Sequence, residues 1–256
     1  YEHVRAGGLN GVFIENPGED PFGALPDLCA KCHAEEVAGF KTTEHFLSGK
    51  VSCNSCHDTH KTGGMRFSTE NGTSLDTPGF AKVCGECHNN EVNEFAKSQH
   101  AKLDVLTCAA CHNVHTTTTF TAKPEDNRLC LQCHGSYLLG FDREETIQAH
   151  VGDVHPLDPE GTGSARCTTC HMPPARRNNQ DEAPHGHSMG TIAPADSADA
   201  IAAGKTPAPN SCAGITGCHD AGTPGSGTPY NLDSIDDNDS LQTVYETLGA
   251  VPVRTR

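Results

Sequence analysis

Seven times in 256 residues a pair of cysteines ends directly against a histidine. Six of the motifs are regular. They are Cys29-Ala-Lys-Cys32-His33, Cys53-Asn-Ser-Cys56-His57, Cys84-Gly-Glu-Cys87-His88, Cys108-Ala-Ala-Cys111-His112, Cys130-Leu-Gln-Cys133-His134 and Cys167-Thr-Thr-Cys170-His171. The seventh is wider, with five residues between Cys212 and Cys218-His219. All 14 cysteines are consumed by these motifs. No other feature constrains the fold as strongly.

Paired cysteines also build zinc sites and disulfide frameworks. The 20 residues between Cys32 and Cys53, and between Cys87 and Cys108, sit at the edge of zinc-ribbon spacing. Neither alternative explains a histidine after every second cysteine. Histidine is 16 of 256 residues, so seven placements out of seven by chance come to roughly one in 10⁸ to 10⁹ under the motif reading. The pattern C-x-x-C-H attaches c-type haem: two thiols bond the porphyrin edge and the adjacent imidazole becomes the proximal iron ligand. Seven haems c are expected, with proximal ligands His33, His57, His88, His112, His134, His171 and His219. For the wide motif a small Cys212–Cys218 disulfide loop, with His219 a bystander, is the competing reading.

Dividing 256 residues among seven motifs leaves about 37 residues per haem, too few for a separate apolar core around each. Apolar residues are 35%, aromatics 5%, and there is no Trp. The porphyrins must serve as the core, wrapped thinly by polypeptide. With 26 Gly and 16 Pro, the expected fold is mostly coil with few short α-helices and almost no β. No apolar run reaches the length of a membrane span, so no membrane insertion is expected. The start at Tyr1 without Met reads as a removed signal peptide. The net charge of −15 disfavours nucleic acid and anionic membrane as partners.

Cys29, Cys32, His33, His45, Cys53, Cys56, His57 and His60 recur at a constant offset of 55, as Cys84, Cys87, His88, His100, Cys108, Cys111, His112 and His115. Residues 29–115 thus hold a duplicated two-haem module, 29–60 and 84–115. Within it, Glu35–His45 and Glu91–His100 are expected as helices, with Val37 and Phe40 on one face. A third, stretched module covers 130–171, with His150 and His155 between its motifs and Pro174 where His60 and His115 would fall. The seventh haem occupies 172–220. Residues 1–28 read as an N-terminal arm, and 221–256 as a linker and C-terminal helix. In that helix Asp239 and Gln242 resemble a capping box, ahead of a Leu241, Val244, Tyr245, Leu248 stripe. Asp233, Asp236, Asp237 and Asp239 read as a solvated acidic loop rather than a calcium site.

Seven irons with one imidazole each need seven distal ligands. The candidates are His3, His45, His60, His100, His115, His150, His155, His185 and His187. A histidine three residues after a proximal one cannot reach the opposite face of the same iron. His60 and His115 are therefore expected to serve the partner haem of their own module. One of His185 and His187 completes the set without His3, which is then free to reach a haem of another subunit. Bis-imidazole ligation closes the iron to substrate and leaves electron transfer. Only three methionines exist, Met65, Met172 and Met189, and Met172 adjoins His171, which argues against His/Met ligation.

By these residues the chain resembles the multihaem c-type cytochromes. Residues 29–115 resemble the modules of periplasmic pentahaem and decahaem electron carriers, with Ser98 near His100 as a loose trace of their Ser before the distal histidine. Cys167–Pro173 and the region through His219, including Pro209-Asn210-Ser211, look more like the C-terminal parts of haem-rich reductases and their relatives. His187, in His-Ser-Met, resembles a distal-ligand segment there, with His185 the alternative. A second resemblance is to extracellular filament-forming cytochromes, in which a histidine of one subunit completes a haem of the next; His3 suits that role. The resemblances imply an extracytoplasmic electron-transfer protein rather than an enzyme. Its expected partners are further copies of itself, other redox proteins and extracellular acceptors. A head-to-tail conductor, a soluble periplasmic shuttle and an oxyanion reductase are the three deployments they allow.

Overall fold

A computed structural model describes residues 19–58, 66, 77–104, 106–116, 127–134, 150, 155, 167–173, 186–207, 209–213, 219 and 230–249. His3, His60, His185, Cys218 and the 221–229 linker lie outside the described residues. The described residues form short helices joined by turns and coil, with no β-strand among them. The expected fold class is what the structure shows. The chain divides into two compact units, one of Tyr1–Asn89 with Asp104–Thr121, the other of Asn90–Leu103 with Ala122–Arg256.

In the first unit Asp20 starts the helix Ala24–Cys29 by accepting from the N–H groups of Gly23 and Ala24 at 3.0 and 2.8 Å. That helix runs directly into the first motif. A second helix, Ala34–Phe40, begins right after His33 with Glu35 and Glu36 in its first turn, where negative charge complements the helix dipole. Val37 and Phe40 lie on one buried face of it, as their spacing requires. The helix expected through His45 breaks: Thr43 is extended and caps a separate turn, Glu44–Leu47, by accepting from the Phe46 N–H at 3.4 Å. A cap of this kind contributes about 1 kcal/mol. Phe46 then packs edge-on against Phe40 and Phe22 at 5.7 and 5.6 Å.

The duplication is carried into local structure. Ala34–Phe40, Glu44–Leu47 and Cys53–Cys56 return as Asn89–Phe95, Gln99–Lys102 and Cys108–Cys111. Thr43 returns as Ser98, which accepts from the Ala101 N–H at 3.1 Å. The Ser that the family resemblance placed loosely before His100 is thus the cap that fixes the turn bearing it.

In the second unit Pro194–Ala202 packs against Ile235–Gly249. The C-terminal helix begins four residues before the expected Asp239. Ser234 caps it, accepting from the Asp237 N–H at 3.2 Å. Gln242 instead accepts from the Ala195 N–H at 3.0 Å, tying the two helices. Of the expected stripe Leu241 is buried, Tyr245 and Leu248 are half-buried and Val244 is exposed. Between the helices Asn210, 0% exposed, uses its whole amide. It donates to Ser197 Oγ and Asn238 Oδ1 at 3.0 Å each and accepts from the N–H groups of Cys212 and Ala213 at 2.9 and 2.8 Å. Full satisfaction matters because an unpaired buried amide costs about 1–3 kcal/mol.

Candidate haem-ligation sites

Five of the motifs are each closed by one backbone bond. The N–H of His33, His57, His88 and His112 donates to the carbonyl of Cys29, Cys53, Cys84 and Cys108 at 2.8–2.9 Å. This turn places both sulfurs and the imidazole around one point. In the wide motif the His219 N–H donates to Cys212 at 3.2 Å. The same kind of bond thus spans seven residues here and four in the regular motifs. No disulfide joins cysteines among the described residues.

Five proximal imidazoles face a second imidazole. The ring centroids of His45 and His88 are 6.0 Å apart, those of His57 and His115 also 6.0 Å. His100 and His134 are 5.7 Å apart, His150 and His171 6.1 Å, His155 and His219 6.1 Å. A metal–imidazole bond is about 2 Å, so an ion between two opposed rings sets their centroids about 6 Å apart. Burial first, then the facing imidazole, lowers the pKa of His45 and of His100. Both effects favour the neutral ring, the form that ligates a metal. His171 is shifted the same way by burial, and its Nδ1 lies 3.4 Å from the Met189 carbonyl, an acceptor that would fix its ring orientation.

The pairing differs from the expected one at His115. It stacks on His57, the proximal residue of the first module, while His88 of its own module faces His45. The backbone explains the placement. Gly39 on helix Ala34–Phe40 lies so close to the His115 carbonyl oxygen that a Cβ would clash with it. Phe40 meets the His115 ring edge-on at 6.3 Å. At the positions 55 residues on, Glu94 and Phe95 belong to the duplicate helix, and the Glu94 carboxylate accepts from the His187 N–H at 2.9 Å. His187 is half-buried.

Consecutive motifs are brought together within each unit. The thiols of Cys29 and Cys53 hydrogen-bond, as do those of Cys84 and Cys108 in the first unit and of Cys130 and Cys167 in the second. Side chains that the motif pattern does not reveal hold further junctions. Arg66 donates to the Ser55 carbonyl at 2.8 Å and pairs with both Glu86 oxygens at 3.0 Å, joining the second motif to the third. Asn127, 1% exposed with φ +64°, accepts from the Cys167 N–H at 2.7 Å, and its carbonyl accepts from Cys130 N–H at 3.1 Å. Ser211 donates to the Cys170 carbonyl at 2.7 Å and so joins the sixth motif to the seventh. Their only sequence signal was Asn210-Ser211 beside a cysteine and an isolated Asn127.

The residues fit haem in a second respect. Apart from prolines, the buried apolar positions among the described residues are Leu25, Val37, Phe40, Val83, Ala198, Ala213 and Leu241, while Leu28, Leu47, Leu103 and Val114 stay exposed beside motif cysteines or the candidate distal histidines. With so few buried apolar positions among them, the described segments suit an apolar partner such as porphyrin. No group of three or more acidic, Cys or His side chains suited to a bare metal ion occurs among the described residues.

The fold and these paired sites define a multihaem c-type cytochrome. A family model described as cytochrome c3 matches residues 99–186. The chain is also similar to the multiheme cytochrome MtrA of Shewanella baltica (strain OS185), 29% identical over 113 residues, or 42% of this chain and 31% of that protein. The chain therefore matches about a third of that relative's length. No solved structure matches the chain.

Proposed function

We propose that this chain carries electrons along seven covalently attached haems c, ligated by two histidines each. The observation that carries the reading is the set of five facing imidazole pairs, each containing one motif histidine. When bound, the haems supply one-electron redox chemistry. The protein's part is to tether each haem by two cysteines, supply two imidazoles to it and keep consecutive motifs in contact within each unit. Filled axial positions exclude substrate, which favours a conductor over an oxyanion reductase. The motifs are organised as two, two, two and one, at 29–60, 84–115, 130–171 and 172–220.

Distal ligands are assigned as His45, His60, His100, His115, His150, His155 and His187. His187 is preferred to His185 because helix Asn89–Phe95 holds it as the duplicate helix holds His115. The protein is extracytoplasmic in this reading, since c-type haem is attached outside the cytoplasm. A head-to-tail polymer at the cell exterior is the deployment in which His3 has a role, as ligand to a haem of the next copy. Among the described residues no helix is long and apolar enough to cross a membrane.

Intact-mass measurement and electron microscopy of the native protein test the reading. Seven haems per chain and uniform filaments are expected. Seven haems with single particles at every concentration and salt would replace the polymer by a periplasmic shuttle. Absence of covalent haem would overturn the function.

A further inference from the structure

The five imidazole pairs fall into two geometric classes. In His45–His88, His100–His134 and His155–His219 the ring planes cross at 72°, 68° and 89°. In His57–His115 and His150–His171 they are nearly coplanar, at 21° and 23°. The classes follow position in the sequence. Each crossed pair joins a histidine lying between the two motifs of one module to the first motif of the next module or, for His155, to the seventh motif. Each coplanar pair contains the second motif histidine of a module.

Resting on the haem-binding reading, we propose that His45, His100 and His155 are forward ligands. Each completes the first haem of the unit that follows it, with crossed imidazole planes, whereas the second haems of the first and third modules take coplanar imidazoles. No module is then a closed redox unit. An iron held by these pairs would staple each segment to its successor, through His45 on Glu44–Leu47 to the third motif and through His100 on Gln99–Lys102 to the fifth. The local structure supports equivalence of the first two stitches. His45 and His100 occupy the same position of duplicate helical turns, behind the equivalent caps Thr43 and Ser98.

The arrangement has an electronic consequence. Coplanar axial imidazoles split the iron d orbitals that hold the unpaired electron, giving a rhombic ferric signal. Crossed planes leave those orbitals nearly degenerate, giving a strongly anisotropic one. Two haem populations should therefore differ along the chain, set by ring orientation rather than by ligand type.

The test is electron paramagnetic resonance of the oxidised full-length holoprotein, with haem content measured in parallel. The wild type should show both low-spin classes. His45→Ala should convert one crossed-class centre to high spin and leave the coplanar class intact. A Cys84→Ala/Cys87→Ala variant should lack one haem, and adding His45→Ala to it should create no high-spin centre. A new high-spin centre in that triple variant, or loss of a coplanar-class signal in His45→Ala, would overturn the proposal. Should variants at this junction fail to accumulate, His155→Ala with and without Cys212→Ala/Cys218→Ala asks the same question at the seventh motif, with the same two outcomes. A wild type without covalent haem would sink the parent reading instead, and haem content tells the two failures apart.

Discussion

The Nε2 atoms of His100 and His134 lie 3.4 Å apart, close to the roughly 4 Å that one metal held by two imidazoles imposes. The fourth motif, Cys108–His112, lies between these two residues in sequence. The chain thus runs past one haem-attachment site before supplying the partner of an earlier histidine. The facing histidine pairs in this protein are long-range contacts, with consequences for spectroscopy, stability and assembly.

Removing His100 should open one iron. The reduced wild-type protein is expected to bind little carbon monoxide. His100→Ala should bind about one equivalent per chain, since a single bis-imidazole centre loses its sixth ligand. An absorption titration of the reduced holoprotein measures this. Several equivalents bound by the wild type would argue that open irons already exist.

Gly39 should be intolerant of any side chain. A Cβ there meets the His115 backbone carbonyl, which cannot swing away as a flexible side chain would. Gly39→Ala is expected to displace His115 and raise the high-spin fraction by about one haem per chain while covalent haem content stays unchanged. Visible and near-infrared absorption of the oxidised variant reads the change.

Asn127 should matter for stability despite carrying no ligand. Its side chain holds the Cys167 N–H at 2.7 Å, and its backbone lies in the left-handed region that Asn tolerates. Asn127→Ala should cost about 1–3 kcal/mol from the lost buried bond, with additional strain from φ. Asn127→Gly should recover only the strain part. Denaturant unfolding of the holoprotein, followed at the haem band, separates the two.

The wide motif should behave as a haem site. Its His219 N–H reaches the Cys212 carbonyl as the regular motifs do over a shorter span. Cys212→Ala with Cys218→Ala should lower the intact mass by one haem relative to the wild type, beyond the side-chain change. An unchanged haem count would return these two cysteines to a disulfide loop.

Much of the fold was legible because the informative signals are local. The 55-residue repeat appears again as three pairs of matching helices, down to the capping hydroxyls Thr43 and Ser98. Boundaries were less legible. Thr43 splits the helix expected through His45, because a hydroxyl that caps the next turn competes with continuing the previous one. Ser234, not Asp239, starts the C-terminal helix, and Gln242 is drawn off to the Ala195 N–H. The capping-box pattern pointed to Asp239 alone, and the packing against Pro194–Ala202 that engages Gln242 is not visible in it.

The sequence by itself determined the candidate haem-attachment motifs, because two thiols and a proximal imidazole must be nearly contiguous to close one turn. It also determined that other histidines are present in numbers sufficient to fill the sixth positions. Which histidine faces which was decided only by the tertiary structure. An iron's sixth ligand needs the right direction and distance, and sequence separation places no limit on it. His115 therefore lies on His57 rather than on its own module's first site, held there by Gly39 and Phe40. The buried amides of Asn127 and Asn210 likewise acquire their roles from the motifs that folding brings to them.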